Sequence, residues 1–323
     1  MGDTPVKTAV IGAGYLGRFH AHKYASIEDA ELVYCVDTDE RRAEEVAGES
    51  GSKPETDYTR ILGEVEAVSI AVPTPFHYEV ARNCLEAGLD ILLEKPITET
   101  VEEADDLISI AEDKGRIFMV GHLERFNPPI RKLADSVVRP AFIQAERLGG
   151  FKERAANIDV VTDLMIHDLD IVMSFVHAPI SRVSAIGVSV LSDKPDLANA
   201  RIEFENGAVA NLTASRVSLG EGVRKIKIFQ HESYISIDYT SQKMAVFSLK
   251  DSAEGGDPMS RIKIDEIHLG RQDALEAEIR AFIHSVRTRN KPPVTGEDGR
   301  RALEVALEVL ECIRRTPGPE DLV

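Results

Sequence analysis

The sequence predicts an α/β chain: a doubly wound parallel sheet at the N-terminal end, then an α+β part with an open, mostly antiparallel sheet. Three observations predict it. From Val6 to Val120 short apolar runs alternate with helical stretches, the pattern of parallel strands joined by crossover helices. From Ala141 to His268 strand patterns follow one another with one helical stretch among them. The chain has 323 residues, more than one ordinary core holds, so two domains are expected. The boundary is expected between 1–121 and 122–323.

The elements follow in order. Val6–Ile11 reads as strand, Gly17–Ala25 as helix, Leu32–Val36 as strand and Arg41–Ala47 as helix. Ala67–Val72 is a further strand. Phe76–Ala87 is a helix with Gly88 just past its end, where a left-handed residue is wanted. Ile91–Leu93 is a strand. Thr100 and Glu103 have the spacing of a capping box for a helix to Lys114, and Ile117–Val120 is the next strand. In the second part Ala141–Arg147 is strand and Val160–Val176 one buried helix. The strands Arg182–Val190, Ala200–Phe204, Ala208–Ser215, Lys225–Phe229, Tyr234–Asp238, Met244–Leu249 and Arg261–His268 follow. Asn206-Gly207 marks a hairpin, and Asp251–Pro258 reads as a polar loop. Helices over Asp273–Thr288 and Glu297–Arg314 end the pattern.

Composition excludes several functions. Apolar residues make up 43% and charged residues 29%, as in soluble globular proteins. No apolar run approaches the roughly 20 residues of a membrane helix. Met1–Thr8 lacks the basic-then-apolar pattern of a signal peptide, so a cytoplasmic protein is expected. A net charge of −17 opposes nucleic acid and anionic membrane surfaces, which need a basic footprint. Cys35, Cys84 and Cys312 are far apart without CxxC spacing, and are expected as reduced, mostly buried thiols.

Gly12-Ala13-Gly14-Tyr15-Leu16-Gly17 follows the first strand and opens the first helix. Gly12 permits the tight turn, Gly14 lets a pyrophosphate approach the backbone, and Gly17 lets helix and strand pack closely. A helix N-terminus favours negative charge, so Tyr15 and Leu16 are cofactor-lining positions too. Asp37 ends the second strand, where the dinucleotide fingerprint expects an acid for the ribose hydroxyls. This is a Rossmann domain by its motif. A carboxylate there repels a 2′-phosphate, so NAD is expected over NADP. Arg41 and Arg42 are expected on the solvated face of the next helix.

Two further segments carry proton-transfer groups. Glu94-Lys95-Pro96 ends a parallel strand, the edge where open α/β sheets bind ligands. Asp163 and His167 lie one helical turn apart on one face. A lysine, an aspartate and a histidine near a nicotinamide suit oxidation of an alcohol, whose hydroxyl proton needs a base. The alternative for Lys95 is an ordinary surface lysine, against which stand the following proline and the strand edge; His167 in isolation reads as a core histidine. His20 and His22 read as structural, and His122 as near the site without chemistry. No metal is expected, because no second cluster completes a coordination shell around Asp163, His167 and Asp170.

With Val72-Pro73-Thr74-Pro75-Phe76-His77, Glu94-Lys95-Pro96 and Asp163…His167…Asp170 behind the glycine motif, the chain resembles the glucose–fructose oxidoreductase / inositol dehydrogenase family over essentially its whole length. The resemblance implies a catalytic Lys95 with Asp163 and His167, and a nicotinamide pocket lined by Pro73, Thr74, His77, Glu94 and Lys95. It also implies a cis Lys95–Pro96 bond and a homodimer or homotetramer formed through a sheet face. One departure stands out: Asn157-Ile158-Asp159 replaces the Gly-Gly pair many members carry before the Asp–His helix. A narrower resemblance, to nucleotide-sugar 3-dehydrogenases acting on UDP-N-acetylglucosamine, rests on Gly121–Pro128, Glu146–Gly149, Asp159–Asp168 and Ala214–Arg216. It implies a sugar or nucleotide-sugar substrate, with Arg125, Arg147 and Arg216 as contacts. A free-sugar or inositol dehydrogenase is the alternative within the family. A non-catalytic dinucleotide sensor is the alternative of another class, and it has no need of Lys95 or His167.

Overall fold

The computed structural model describes residues 4–133, 139–152, 157–218, 222–249, 262–270 and 272–316. The expected loop Asp251–Pro258 lies outside them. The chain divides into two compact units, Met1–Phe126 with Asp273–Leu303, and Asn127–Gln272 with Glu304–Val323.

The first unit runs β1 (Val6–Ile11), α1 (Tyr15–Ser26), β2 (Ala30–Val36), α2 (Glu40–Ser50), β3 (Lys53–Glu55), β4 (Ala67–Ile70), α3 (His77–Glu86), β5 (Asp90–Glu94), α4 (Val101–Lys114) and β6 (Phe118–Gly121). All six strands are parallel, in the order β3-β2-β1-β4-β5-β6. β4 and β5 are buried at every residue, as strands covered on both faces must be. Thr100 and Glu103 form the expected capping box on α4. β3 escapes the sequence pattern because it is a three-residue edge strand containing Pro54.

The single boundary expected after residue 121 separates the strands of the two units, while by contacts α7 (Ala274–Thr288) and the first turns of α8 (Gly296–Arg315) group with the first unit. α7 buries Ile279, Phe282, Ile283 and Val286 along one stripe. Arg289, just beyond it, donates to both oxygens of Asp90, at 2.5 and 3.1 Å. A Cβ on Gly299 would stand 2.8 Å from Val120 Cγ2, so α8 lies directly on β6. These are contacts between distant segments, which local sequence patterns do not record.

The second unit contains α5 (Pro128–Leu133), β7 (Pro140–Leu148), α6 (Ile166–Phe175) and β8 to β14. The strands are β8 (Ile180–Val188), β9 (Leu197–Phe204), β10 (Val209–Ser215), β11 (Val223–Gln230), β12 (Ser233–Asp238), β13 (Lys243–Leu249) and β14 (Ile262–His268). Their order is β14-β13-β12-β11-β7-β10-β9-β8. Every neighbour pair is antiparallel except β7 with β10. Gly207 takes φ +84° between β9 and β10, at the expected hairpin. α5 was not expected. It opens on Pro128 and Pro129, whose fixed φ suits a first helical turn.

Two features of this unit bear on function. The expected single helix over Val160–Val176 is a wide π turn, Val161–Met165, leading into α6. On one face of the sheet Phe142, Phe229, Tyr234, Phe247 and Ile264 stand in cross-strand register. The Phe229 and Tyr234 rings stack at 4.7 Å, those of Tyr234 and Phe247 at 4.9 Å, and Ile264 is 54% exposed.

Candidate active site

The strand order makes β1 and β4 the pair at which the first sheet changes direction, and ligands of such sheets bind beyond the carboxyl ends of that pair. The glycine loop follows β1, Asp37 follows β2, Pro73–His77 follows β4 and Glu94–Pro96 closes β5. The Rossmann unit thus brings its motif residues to one edge.

The glycines are used as expected. Gly12 has φ +96°, and a Cβ there would sit 2.7 Å from the Ala71 carbonyl carbon. A Cβ on Gly17 would fall 1.7 Å from the Gly12 carbonyl oxygen, so only glycine lets α1 start so close to β1. At Gly14 a Cβ would meet nothing within 4 Å; the backbone there borders open space, as a pyrophosphate approach requires. Gly14 also caps α1 without a side-chain hydrogen bond. Tyr15 and Leu16 are exposed apolar residues beside it. The residues present fit a dinucleotide.

Asp37 is nearly buried. Its Oδ2 accepts the Ala13 amide at 2.9 Å and its Oδ1 the Asp39 amide at 2.9 Å. The carboxylate therefore braces the glycine loop. Arg42 is not merely solvated: its Nη2 lies 3.3 Å from Asp37 Oδ1.

His77 requires a correction. It is 1% exposed, with Nδ1 2.8 Å from the Pro96 carbonyl and Nε2 2.9 Å from the Val72 carbonyl. Burial pushes its pKa down. Both nitrogens lie on main-chain carbonyls, so His77 ties the loop after β4 to the loop after β5 and offers no polar atom to a dinucleotide. Pro73 and Thr74 enter the short turn that precedes it. The Lys95–Pro96 bond is cis, as the resemblance implies.

Glu94 sits behind Lys95. Its Oε2 accepts the Lys95 amide at 3.2 Å, and its Oε1 lies 3.0 Å from His20 Nε2. Burial pushes the Glu94 pKa up, but His20 and the Lys95 charge outweigh it and hold the carboxyl below its usual range. His20 Nδ1 contacts Ser69 Oγ at 3.1 Å, and Tyr24 contacts the same hydroxyl at 2.8 Å. His20 thus stands directly behind the lysine motif, a role its sequence position gave no sign of.

In the second unit the segment from Val160 to Met173 is buried except at Thr162, Asp163, Leu164 and His167. The two expected catalytic side chains are therefore on its accessible strip. The departure at Asn157-Ile158-Asp159 has a structural use. Asp159 accepts both the Thr162 amide and the Thr162 hydroxyl at 2.8 Å, which starts the turn without glycines.

Arg147 and Arg216 are corrected. Arg147 is 3% exposed and grips Asp168 through two hydrogen bonds, of 3.0 and 2.9 Å. Arg216 is 3% exposed, donates to Asp196 at 2.6 Å and Ser192 at 2.7 Å, and also donates to the Ile158 carbonyl. Each guanidinium is neutralised by an enclosed carboxylate, so neither is offered to a substrate diphosphate. Arg147 instead anchors the residue next to His167, and Arg216 the residue before Asp159. Arg125 lies 3.7 Å from Asp298.

Sequence reasoning missed Glu278. It is fully buried on α7, and its carboxylate oxygens have no hydrogen-bond partner among the described residues. The signal was present: a lone acid one residue before Ile279 and four before Phe282, on the apolar stripe of its helix.

Residues 6–122 match the oxidoreductase-family NAD-binding Rossmann model, and residues 154–314 match that family's C-terminal α/β domain. A UDP-N-acetylglucosamine 3-dehydrogenase from Acidithiobacillus ferrooxidans is 39% identical over 94% of this chain and 96% of its own. Its solved structure superposes with a TM-score of 0.90, covering 95% of this chain and 97% of that one. A scyllo-inositol 2-dehydrogenase (NAD(+)) from Bacillus subtilis is 29% identical over 96% of this chain and 94% of its own. A levoglucosan dehydrogenase solved with NADH shares the fold at 20% identity, with a TM-score of 0.85, over 97% of each chain.

Proposed function

The chain belongs to the Gfo/Idh/MocA oxidoreductase family, and from that premise we propose that it oxidises the 3-hydroxyl of UDP-N-acetylglucosamine with NAD. The observation that carries the substrate is the full-length likeness to the enzyme of that name. NAD bound on the glycine loop would accept the hydride from the substrate carbon. The residues of this chain do the rest.

Lys95 takes the hydroxyl proton, so that the C–H electron pair leaves as hydride while the carbonyl forms. His167 holds or shares that proton, and Asp163 orients the pair. The reverse assignment of lysine and histidine remains an outcome of the mutant series below. Asp37 receives the ribose hydroxyls, which favours NAD over NADP; Arg42 at its side is the feature that a 2′-phosphate would use. With Arg147 and Arg216 spent on carboxylates, Arg125 is the retained candidate among the three arginines for the substrate. The row from Phe142 to Ile264 supports a second copy of the chain on that sheet face. Three unbridged cysteines suit the cytoplasm. Among the described residues, no helix is long and apolar enough to cross a membrane.

A panel of UDP-N-acetylglucosamine, free N-acetylglucosamine, myo-inositol and glucose tests the substrate, each with NAD and with NADP. Reduced-nicotinamide absorbance is followed, with a transaminase drawing off the keto product. UDP-N-acetylglucosamine with NAD is expected to turn over fastest. Turnover of inositol or a free sugar without the UDP-sugar would overturn the reading in favour of the inositol-type alternative, which the likeness to the scyllo-inositol enzyme supports.

A further inference from the structure

Within the first unit, α1, β5 and α7 bring His20, Glu94 and Glu278 together in a closed pocket. One donor atom from each lies within 4.8 Å of the others. His20 and Glu278 are fully buried and Glu94 is nearly so. Gly121 at the end of β6 makes the room: a Cβ there would stand 3.1 Å from the Glu94 carboxyl carbon.

Two enclosed carboxylates this close cannot both be ionised, because repulsion in a weakly screened site adds to the cost of burial. The structure decides which one carries the proton. Glu94 accepts the Lys95 amide, contacts His20 and feels the Lys95 charge. Glu278 has none of these supports among the described residues. Burial, then the neighbouring Glu94 charge, raise the Glu278 carboxyl well above the usual carboxylate range. The other groups facing α7 do not change the balance. α1 contributes His20 and Tyr24, and burial pushes the Tyr24 hydroxyl up. The turn Leu123–Phe126 packs on α7 and carries Glu124 and Arg125, a balanced pair of charges. β1 brings Lys7, which is exposed.

We propose that Glu278 is a positioning residue for Lys95: as a neutral acid it presents a polar group near Glu94, within 4.8 Å, without adding charge, and leaves Glu94 the sole anion behind the lysine. This rests on the reading of Lys95 as the proton acceptor. Ionising Glu278 would place a second negative charge behind Glu94, favour the ammonium form of Lys95 and remove the base.

Three readouts on the full-length protein test it. Glu278→Met, which keeps the volume and loses the polar group near Glu94, is expected to lower kcat at pH 7 about tenfold with KM for NAD unchanged, and Glu278→Gln to restore most of that loss. The alkaline limb of the kcat profile should move to higher pH in Glu278→Gln, because nothing there can ionise. The Tm of Glu278→Gln relative to the unsubstituted protein should rise from pH 6 to pH 9. The sign follows from linkage: an acid with a raised folded-state pKa contributes stability that is present below its unfolded value and lost as pH rises through the folded one.

A Tm difference that is flat with pH would overturn the proposal, as would Glu278→Gln being as impaired as Glu278→Met. So would a Tm raised by added Zn²⁺ or lowered by chelator only when Glu278 is present, since the pocket would then hold a cation. If the variants fold poorly, the infrared band of a protonated carboxyl in the unsubstituted protein decides: present at pH 7 it supports the proposal, absent it overturns it. Failure of the Lys95 reading is seen separately, as Lys95→Ala keeping its turnover while the pH dependence of Tm persists.

Discussion

In the second unit each of two enclosed arginines lies against a carboxylate of its own, Arg147 on Asp168 and Arg216 on Asp196. In the first unit two enclosed carboxylates, Glu94 and Glu278, lie near one histidine, which contacts Glu94 alone. The contrast separates two uses of buried charge. A matched ion pair has little to titrate near neutrality and serves as a rigid joint. An excess of one sign has to be resolved by a proton, and a proton can be moved. The matched pairs stand next to His167 and Asp159, where shape is needed. The unmatched pair stands next to Lys95, where the proposed mechanism moves a proton.

Breaking a joint should have the largest effect. Arg147→Ala leaves Asp168 buried without its guanidinium and is expected to cost about 3–5 kcal/mol in urea unfolding. Arg147→Met combined with Asp168→Leu should recover most of it. A single variant with an unchanged midpoint would erase the distinction drawn between the two units. Lys95→Ala comes next, with kcat lowered about 10²-fold, or about 2.7 kcal/mol, while NAD affinity in a fluorescence titration stays near normal. Retained turnover in both Lys95→Ala and His167→Ala would move the chemistry elsewhere. Asp37→Ala is the smallest of the three, about tenfold weaker NAD binding or about 1.4 kcal/mol, with discrimination against NADP relaxed. An unchanged NAD-to-NADP ratio would reduce Asp37 to its other task, bracing the Ala13 amide.

The cofactor edge was legible because it is built from backbone and near neighbours. Gly12, Gly14 and Gly17 declare their turn within six residues, and Asp37 follows at the end of the next strand. Lys95, Asp163 and His167 were legible as residue types but not by their supports. Nothing near Lys95 in sequence announces His20 or Glu278, which come from other helices. The partners of Arg147 and Arg216 are hidden from the sequence in the same way. An arginine on a strand looks available until its partner, folded in from a different segment, is known. The place of His77 in Val72–His77 points to a cofactor contact, whereas the two carbonyls it bridges meet only when β4 and β5 pair.

The return of α7 and the start of α8 to the first unit has a consequence for how the protein is made. The Rossmann sheet is complete in sequence by Gly121, yet Glu278, Phe282 and Arg289 join it only after Asn127–Gln272 of the second unit has been synthesised. A nascent chain emerging from the ribosome therefore exposes an unclosed first unit until Asp273–Leu303 arrives. Such long-range closure slows folding and lengthens exposure to aggregation. A stop codon anywhere before residue 273 would remove a wall of the cofactor domain as well as the chain's last helices.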